Sequence, residues 1–367
     1  MRSREADAGV FDSVEAVVAD VAAGRPVVVA DDENRENEGD LVIAIDKLTP
    51  EGINMMLRHA RGLICVPLTG AQLERLGLSE MAKVNRDRHG TAFTVSVDAA
   101  EGVTSGISAQ DRFRTAKVLG DPSSTADKLA QPGHMFPLRA RPGGVLERAG
   151  HTEAAVDLAR LAGLNPAAVI CEILNEDGTC ARLPQLAEFK KSFGVKLLSV
   201  ASLIEYRHSR ECLVREVRSE PFESDYGTFT LRVFENCIDH RLHYALTMGE
   251  LTAAPTLVRM HSENLLGDVF SQKAGHGGIA GRALSAIARE GRGAFVYLTH
   301  ENAGLQIPAS DAKGRVTPGV PDARGYGLGA QILSAMGLKK IRLLTSSVKK
   351  VVALHGHGLE IVEQVVV

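Results

Sequence analysis

Valines recur at helical spacing near the start of the chain. Val14, Val17, Val18 and Val21 share one face, Asp12 or Ser13 can cap it, and Gly24 follows the last turn, a pattern that predicts an amphipathic helix. Pro26 to Ala30 is continuously apolar and rich in β-branched valine, as in a short strand covered on both faces. After ten polar residues, Leu41 to Ile45 predicts a second strand. Helical and strand-like patterns then alternate. A helical face at Ile53, Met56, Leu57 and Ala60 precedes a strand from Leu63 to Leu68 and a period-two stretch from Phe93 to Val97. Thr152 to Leu161 reads as a helix and Ala168 to Leu174 as a strand. The mixture predicts an α/β (α+β) domain over residues 1–207.

Arg207 to Phe222 is charge-rich and carries a Pro, so a linker is expected at 208–220, with a second domain over 221–367. There Arg282 to Ile287 and Leu328 to Met336 predict helices, the latter closed by Gly337. Ala294 to Leu298, Ile341 to Thr345 and Leu359 to Val367 predict strands. This domain too reads as α/β, and no internal repeat is evident.

Composition supports two buried cores: the 367 residues are 44% hydrophobic and 24% charged, with no Trp. A net charge of −3 gives no general attraction to nucleic acid or to an anionic membrane. The start, MRSREADAG, has no apolar core of a signal peptide, and no apolar run is long enough to span a bilayer. The five cysteines are scattered and form no CxxC pair, which suits reduced thiols in a cytoplasmic protein.

The chemistry concentrates in Asp31-Asp32-Glu33-Asn34-Arg35-Glu36-Asn37-Glu38-Gly39-Asp40, with six acids and one arginine in ten residues. A solvated turn is the plain alternative. A calcium loop of the EF-hand type is excluded, because counting from Asp32 the sixth position is not Gly and the twelfth is apolar Ile43. Carboxylates crowded at a strand end favour a hard cation such as Mg²⁺. Crowding also splits their pKa values, leaving one group able to act as acid and another as base. Downstream, Gly143 to Ala154 sets glycines beside Arg148, His151 and Thr152 just before a helix. That arrangement describes an anion pocket at a helix N-terminus, against the alternative of an ordinary capped turn.

The string DDENRENEGD followed by an apolar strand resembles the signature of 3,4-dihydroxy-2-butanone 4-phosphate synthases. Glu101 to Arg112, Gln131 to Ala140, Gly143 to Ala154 and Cys171-Glu172 match the same family in the same order, so the similarity covers residues 10–207. It implies the synthase fold and conversion of D-ribulose 5-phosphate into L-3,4-dihydroxybutan-2-one 4-phosphate and formate with Mg²⁺ or Mn²⁺. By resemblance, Glu36 and His151 ligate the metal. Arg35, Glu36, Asp40, Glu172 and the turn Arg148-Ala149-Gly150-His151-Thr152 hold the sugar phosphate. His134, Glu172, Glu38 and Asp40 are the acid/base groups, with Cys65, Ser108 and Asp111 as pocket neighbours. A homodimer is also implied.

Leu257 to Glu263, Gly267 to Phe270, Asp322 to Leu333 and Lys340 to Thr345 resemble GTP cyclohydrolase II over 213–367, implying that fold for the second domain. Three cysteines bind zinc in that family. Asn264, Gly275 and Gly277 stand at those positions and supply no thiolate, so no zinc is expected. Asp322 and Arg324 match the family's Asp-x-Arg pair, whereas Thr299 to Gly304 replaces its Arg-Gln-Glu-Gly-Arg-Gly element. A substitute metal site from His261, His276, His355 or His357 competes with a plain turn at 355–358. The leading expectation is a synthase with a degenerate second domain. The rivals are a bifunctional enzyme that also opens GTP and a catalytically dead ligand-binding regulator.

Overall fold

The computed structural model describes residues 9–33, 35–211, 213–252, 254–269, 278–300, 323–345 and 359–366. The chain divides into two compact units, through Arg207 and from His208 onward.

In the first unit, Ser13 caps helix α1 (Val14–Ala22) by accepting the Ala16 N–H. Seven strands follow: β1 (Val27–Ala30), β2 (Gly39–Ala44), β3 (Cys65–Leu68), β4 (Val97–Ala99), β5 (Leu129–Arg139), β6 (Ala168–Glu172) and β7 (Lys196–Ser199). Between them run α2 (Pro50–Met55), α3 (Gly70–Arg75), α4 (Ala109–Gly120), α5 (His151–Leu161) and α6 (Leu183–Phe193), and α7 (Val200–Arg210) comes last. The sheet order is β4-β5-β3-β6-β2-β1-β7, mostly antiparallel, with parallel pairs at β1/β7 and β3/β5.

Strand alternation sorts the core into two layers. Val28, Ala30, Leu41, Ile43, Val169 and Cys171 face one layer, filled by Ile53, Met56, Leu73, Leu119, Leu186 and Phe189. Val27, Val29, Val42, Ala44, Ala168 and Ile170 face the other, filled by Val14, Val17, Val21, Ala155, Leu158 and Leu203. Helices thus cover both faces of the sheet, which is why β1 and β2 read as continuous apolar runs.

Two expectations change. Phe93 to Val97 contributes only Val97 to a strand, because Phe93 and Thr94 make isolated bridges to Leu138 and Glu80. Residues 214–220 of the expected linker belong to strand β8 (Val214–Ser224) of the second unit. Among the described residues that strand lies at a sheet edge and pairs with β9 (Gly227–Asn236) alone. Its charges are matched across the pair by Arg215–Glu235 at 2.6 Å and Glu216–Arg232 at 2.5 Å. Edge strands carry such charge to block further pairing.

The second sheet continues with β10 (Leu242–Met248), β11 (Thr256–Ser262), β12 (Gly293–Leu298), β13 (Lys340–Thr345) and β14 (Glu360–Val366), in the order β14-β13-β11-β12-β10-β9-β8. Helix α9 (Ile279–Glu290) packs Ala283, Leu284 and Ile287 on one face, and α10 (Ala323–Ala335) packs Ala330, Ile332 and Leu333 on the other. The single turn α8 (Leu265–Asp268) lies between β11 and α9. Among the described residues no helix is long and apolar enough to cross a membrane.

Candidate active site

The acidic loop joins the antiparallel strands β1 and β2, with Ala30 opposite Gly39. Asp31 gives it shape. Its carboxylate accepts the Glu38 N–H at 2.9 Å, the Glu36 N–H at 3.0 Å and the Arg35 guanidinium at 2.9 Å. From the far side Arg182 donates to the carbonyls of Glu36, at 2.8 Å, and Asn37. Glu36 is thereby placed with its Oε2 2.8 Å from Arg35 and 3.5 Å from Nδ1 of His151, the first residue of α5. Asp31, Glu36 and His151 present ligand atoms within 4.8 Å of one another.

Register supplies the next pair. Asp40 of β2 lies directly opposite Glu172 of β6, and its Oδ1 is 3.8 Å from His151 Nδ1. Glu172 Oε2 accepts the Leu63 N–H at 2.8 Å. Among the described residues, Asp40 Oδ1 and His151 Nε2 are buried with no hydrogen-bond partner, as groups with a catalytic or ligand-binding role can be.

These carboxyls differ in tendency. Burial, reinforced by Glu172, Glu36 and Glu38, pushes Asp40 up to about 7 despite His151. Burial likewise raises Glu172. Burial also works against ionised Glu36, but the His151 hydrogen bond and Arg35 outweigh it and hold Glu36 at about 2. His151 is raised to about 9, because Asp40, Glu36 and Asp31 overcome the desolvation of its cationic form. Glu38 reaches Cys180, and that hydrogen bond, aided by burial, lifts the thiol to about 11. Burial pushes the Cys65 and Cys171 thiols up as well, so neither is an activated nucleophile.

The glycine-rich turn is braced from behind. Asp157 accepts the Val145 N–H at 2.8 Å and the Arg207 guanidinium at 2.7 Å, and Arg207 also donates to the Gly143 carbonyl. Arg148 is less free than its sequence position suggests. It donates to the His89 carbonyl, Glu153 and the Thr91 hydroxyl, which commits three of its five N–H donors. Gly150 caps α5 with no side chain of its own, and a Cβ there would meet Arg148 at 2.5 Å and Arg35 at 3.0 Å. Arg35, Arg148, Gly150 and His151 therefore converge, with Ala149 half-buried and Thr152 buried beside them.

His134 stands on β5, and its hydrogen bonds go to Asp98. Ser108 caps α4, and Asp111 accepts from the Thr104 N–H and hydroxyl, which hold its carboxyl at about 2. Asp31 and Glu153 lie within motifs noted in the sequence without a role of their own, whereas Asp98 and Arg182 were not singled out there. Single charged residues far along the chain from their partners carry no local signal.

The family pattern of 3,4-dihydroxy-2-butanone 4-phosphate synthase matches residues 15–206, and that of GTP cyclohydrolase II matches 214–366. The chain belongs to the 3,4-dihydroxy-2-butanone 4-phosphate synthase family. Its first unit is this synthase, an enzyme of riboflavin biosynthesis. Over 97% of its length the chain is 48% identical to the riboflavin biosynthesis protein RibBA of Aquifex aeolicus, covering 92% of that protein. RibBA of Bacillus cereus is 46% identical, with 97% and 93% covered. Among solved structures, RibBX of A. baumannii, described as a two-domain 3,4-dihydroxy-2-butanone 4-phosphate synthase, superposes with a TM-score of 0.80 at 36% identity, covering 97% of this chain and 99% of that one. A synthase in complex with two magnesium ions matches with a TM-score of 0.53 at 41% identity, covering 55% and 98%.

Beyond the synthase unit, the cyclohydrolase-like unit gathers polar groups around Asp268. This carboxylate meets His261 Nε2 at 2.8 Å and accepts the Tyr297 hydroxyl and the Asn264 N–H at 3.0 Å each. The Asn264 side chain accepts the Gly267 N–H at 3.1 Å, closing the α8 turn. Ser262 pairs with His300 at 2.5 Å, and Glu263 accepts the His300 N–H. Gly275, Gly277, His276, Glu301 to Asp322, His355 and His357 lie outside the described residues, as does the side chain of Arg324.

Proposed function

We propose that the first unit converts D-ribulose 5-phosphate into L-3,4-dihydroxybutan-2-one 4-phosphate and formate with the help of Mg²⁺ or Mn²⁺. One observation carries the reading: Glu36, Asp40, His151 and Glu172, drawn from a loop, two strands and a helix, meet with opposite ionisation tendencies. The residues fit a hard cation. Glu36 and His151 would hold it, since Glu36 stays ionised and its Oε2 lies 3.5 Å from Nδ1 of His151. Asp31, third of the close group, is committed to the loop backbone. A bound cation supplies Lewis acidity toward a substrate oxygen and offsets the repulsion among the carboxylates.

The atoms of the two products sum to those of the substrate, so the residues need only bind the sugar and move protons. Asp40, near 7, can take and return a proton at neutral pH. Glu172, raised by burial, can donate one. His134 and Glu38 serve as further acid/base groups. The first-turn N–H groups of α5, with the remaining donors of Arg148 and with Arg35, suit the phosphate. Glu36→Ala or His151→Ala abolishes formate release from ribulose 5-phosphate under this scheme. Near-normal turnover by either variant would overturn the metal assignment, and absence of formate from the native chain would favour a ligand-binding regulator.

The second unit, in this reading, is not a GTP cyclohydrolase. No cysteine follows Cys237 in the chain, so a zinc site built on thiolates has no ligands there in any register. The match to GTP cyclohydrolase II favours the bifunctional alternative. Stoichiometric zinc in elemental analysis together with GTP ring opening would establish that alternative. A cytoplasmic homodimer is the expected working form, checked by sedimentation.

A further inference from the structure

We propose that Asp98 is a positioning residue that fixes the tautomer of His134, keeping the proton on Nδ1 and leaving Nε2 to exchange protons with the substrate. The proposal rests on the reading of His134 as an acid/base group. Asp98 lies in β4, and its carboxylate grips His134 twice: Oδ2 is 2.7 Å from Nδ1, and Oδ1 accepts the His134 backbone N–H at 3.0 Å. The β4/β5 ladder breaks between Val97 and Asp98, and at that break the His134 N–H bonds a side chain instead of a neighbouring strand.

Two contacts to one carboxylate fix both the backbone and the ring. An ionised carboxyl only accepts, so the nitrogen facing it must be the donor, and a neutral imidazole then has its lone pair on the other nitrogen. Exposure follows the same division, with the His134 side chain 44% exposed and that of Asp98 only 13%.

The Glu101–Asp111 segment, a family match with no chemistry of its own in the scheme above, forms the back wall of this pair. Gly106 has φ +85° and packs so closely that a Cβ would collide with the Asp98 carboxylate and lie 2.6 Å from His134 Nδ1. Asp111 pins the segment by accepting the Thr104 N–H at 3.0 Å, the Thr104 hydroxyl at 2.8 Å and the Gly106 N–H at 3.2 Å. A chain of named contacts therefore runs from Asp111 through Gly106 to the dyad.

The test uses the full chain labelled with ¹⁵N-histidine, together with steady-state formate release. In the native protein the neutral His134 ring is expected in the Nδ1–H form, and Asp98→Asn is expected to abolish that preference. Asp98→Asn should lower kcat about 100-fold while KM for ribulose 5-phosphate stays within about threefold. Asp98→Glu, which keeps the carboxylate, should recover most of the loss. A native ring in the Nε2–H form overturns the proposal without any substitution. So does a native-like kcat in Asp98→Asn when His134→Ala is inactive. A fully active His134→Ala would remove the acid/base reading itself, and the positioning role with it.

Discussion

Cation binding at Glu36 and His151 is expected to expel a proton at neutral pH. Burial disfavours the imidazolium, but Asp40, Glu36 and Asp31 prevail and raise His151 to about 9. At pH 7 the ring is then about 99% protonated, whereas a nitrogen that ligates a metal must be neutral. The two pH units between 7 and 9 correspond to about 2.7 kcal/mol. Apparent Mg²⁺ affinity should therefore be about 100-fold weaker at pH 7 than above pH 9, rising about tenfold per unit in between. Stability of the cation-free protein follows from the same pair, counted once. The raised His151 contributes fully below its ordinary 6.5 and loses its contribution as pH climbs through about 9. The lowered Glu36 contributes fully above its ordinary 4.5 and loses its contribution as pH falls toward about 2. Calorimetric titration with MgCl₂ at pH 7, in buffers of different protonation enthalpy, should report release of about one proton. A flat affinity from pH 7 to 9 with no proton release would show that His151 is neutral beforehand or is not a ligand.

Three further outcomes concern stability. Arg207→Met leaves buried Asp157 with the Val145 N–H and the half-exposed Arg160 but without its buried guanidinium partner. The loss should be about 3 kcal/mol, read by calorimetry as a Tm lower by roughly 6–12 °C. Gly133→Ala places a methyl group against the backbone of Val97 and Asp98, where no side chain can yield. It should cost about 3 kcal/mol or more in urea unfolding. Gln331→Leu removes the side chain that bonds the Leu213 N–H and the His208 and Glu211 carbonyls. It should weaken the second unit by about 3 kcal/mol, with faster amide exchange at Leu213.

Much of this was legible where one rule governs a segment. Val14 to Val21 is helical because four valines and a serine cap agree. β1 and β2 showed as strands because both faces of their sheet are covered. β8 was not legible, since an edge strand with paired charges on both faces has the composition of a linker. The acidic loop stood out through density of charge, and its Asp31, Glu36 and Asp40 do converge with His151 from more than a hundred residues away. Arg148 reads in the sequence as a free anion-binding charge, but Glu153, Thr91 and the His89 carbonyl occupy much of it in the fold. Asp98 was silent because its partner stands 36 residues downstream and only strand pairing brings them together.

The Asp40–Glu172 pair makes the site sensitive to length rather than to composition. Both residues sit on buried strands whose side chains alternate between two packed layers. Deleting one residue inside β2 would exchange the layers, driving Leu41 and Ile43 into the places of Val42 and Ala44 and parting the two acids. The meeting of the two acids therefore depends on an unbroken residue count along β2 and β6.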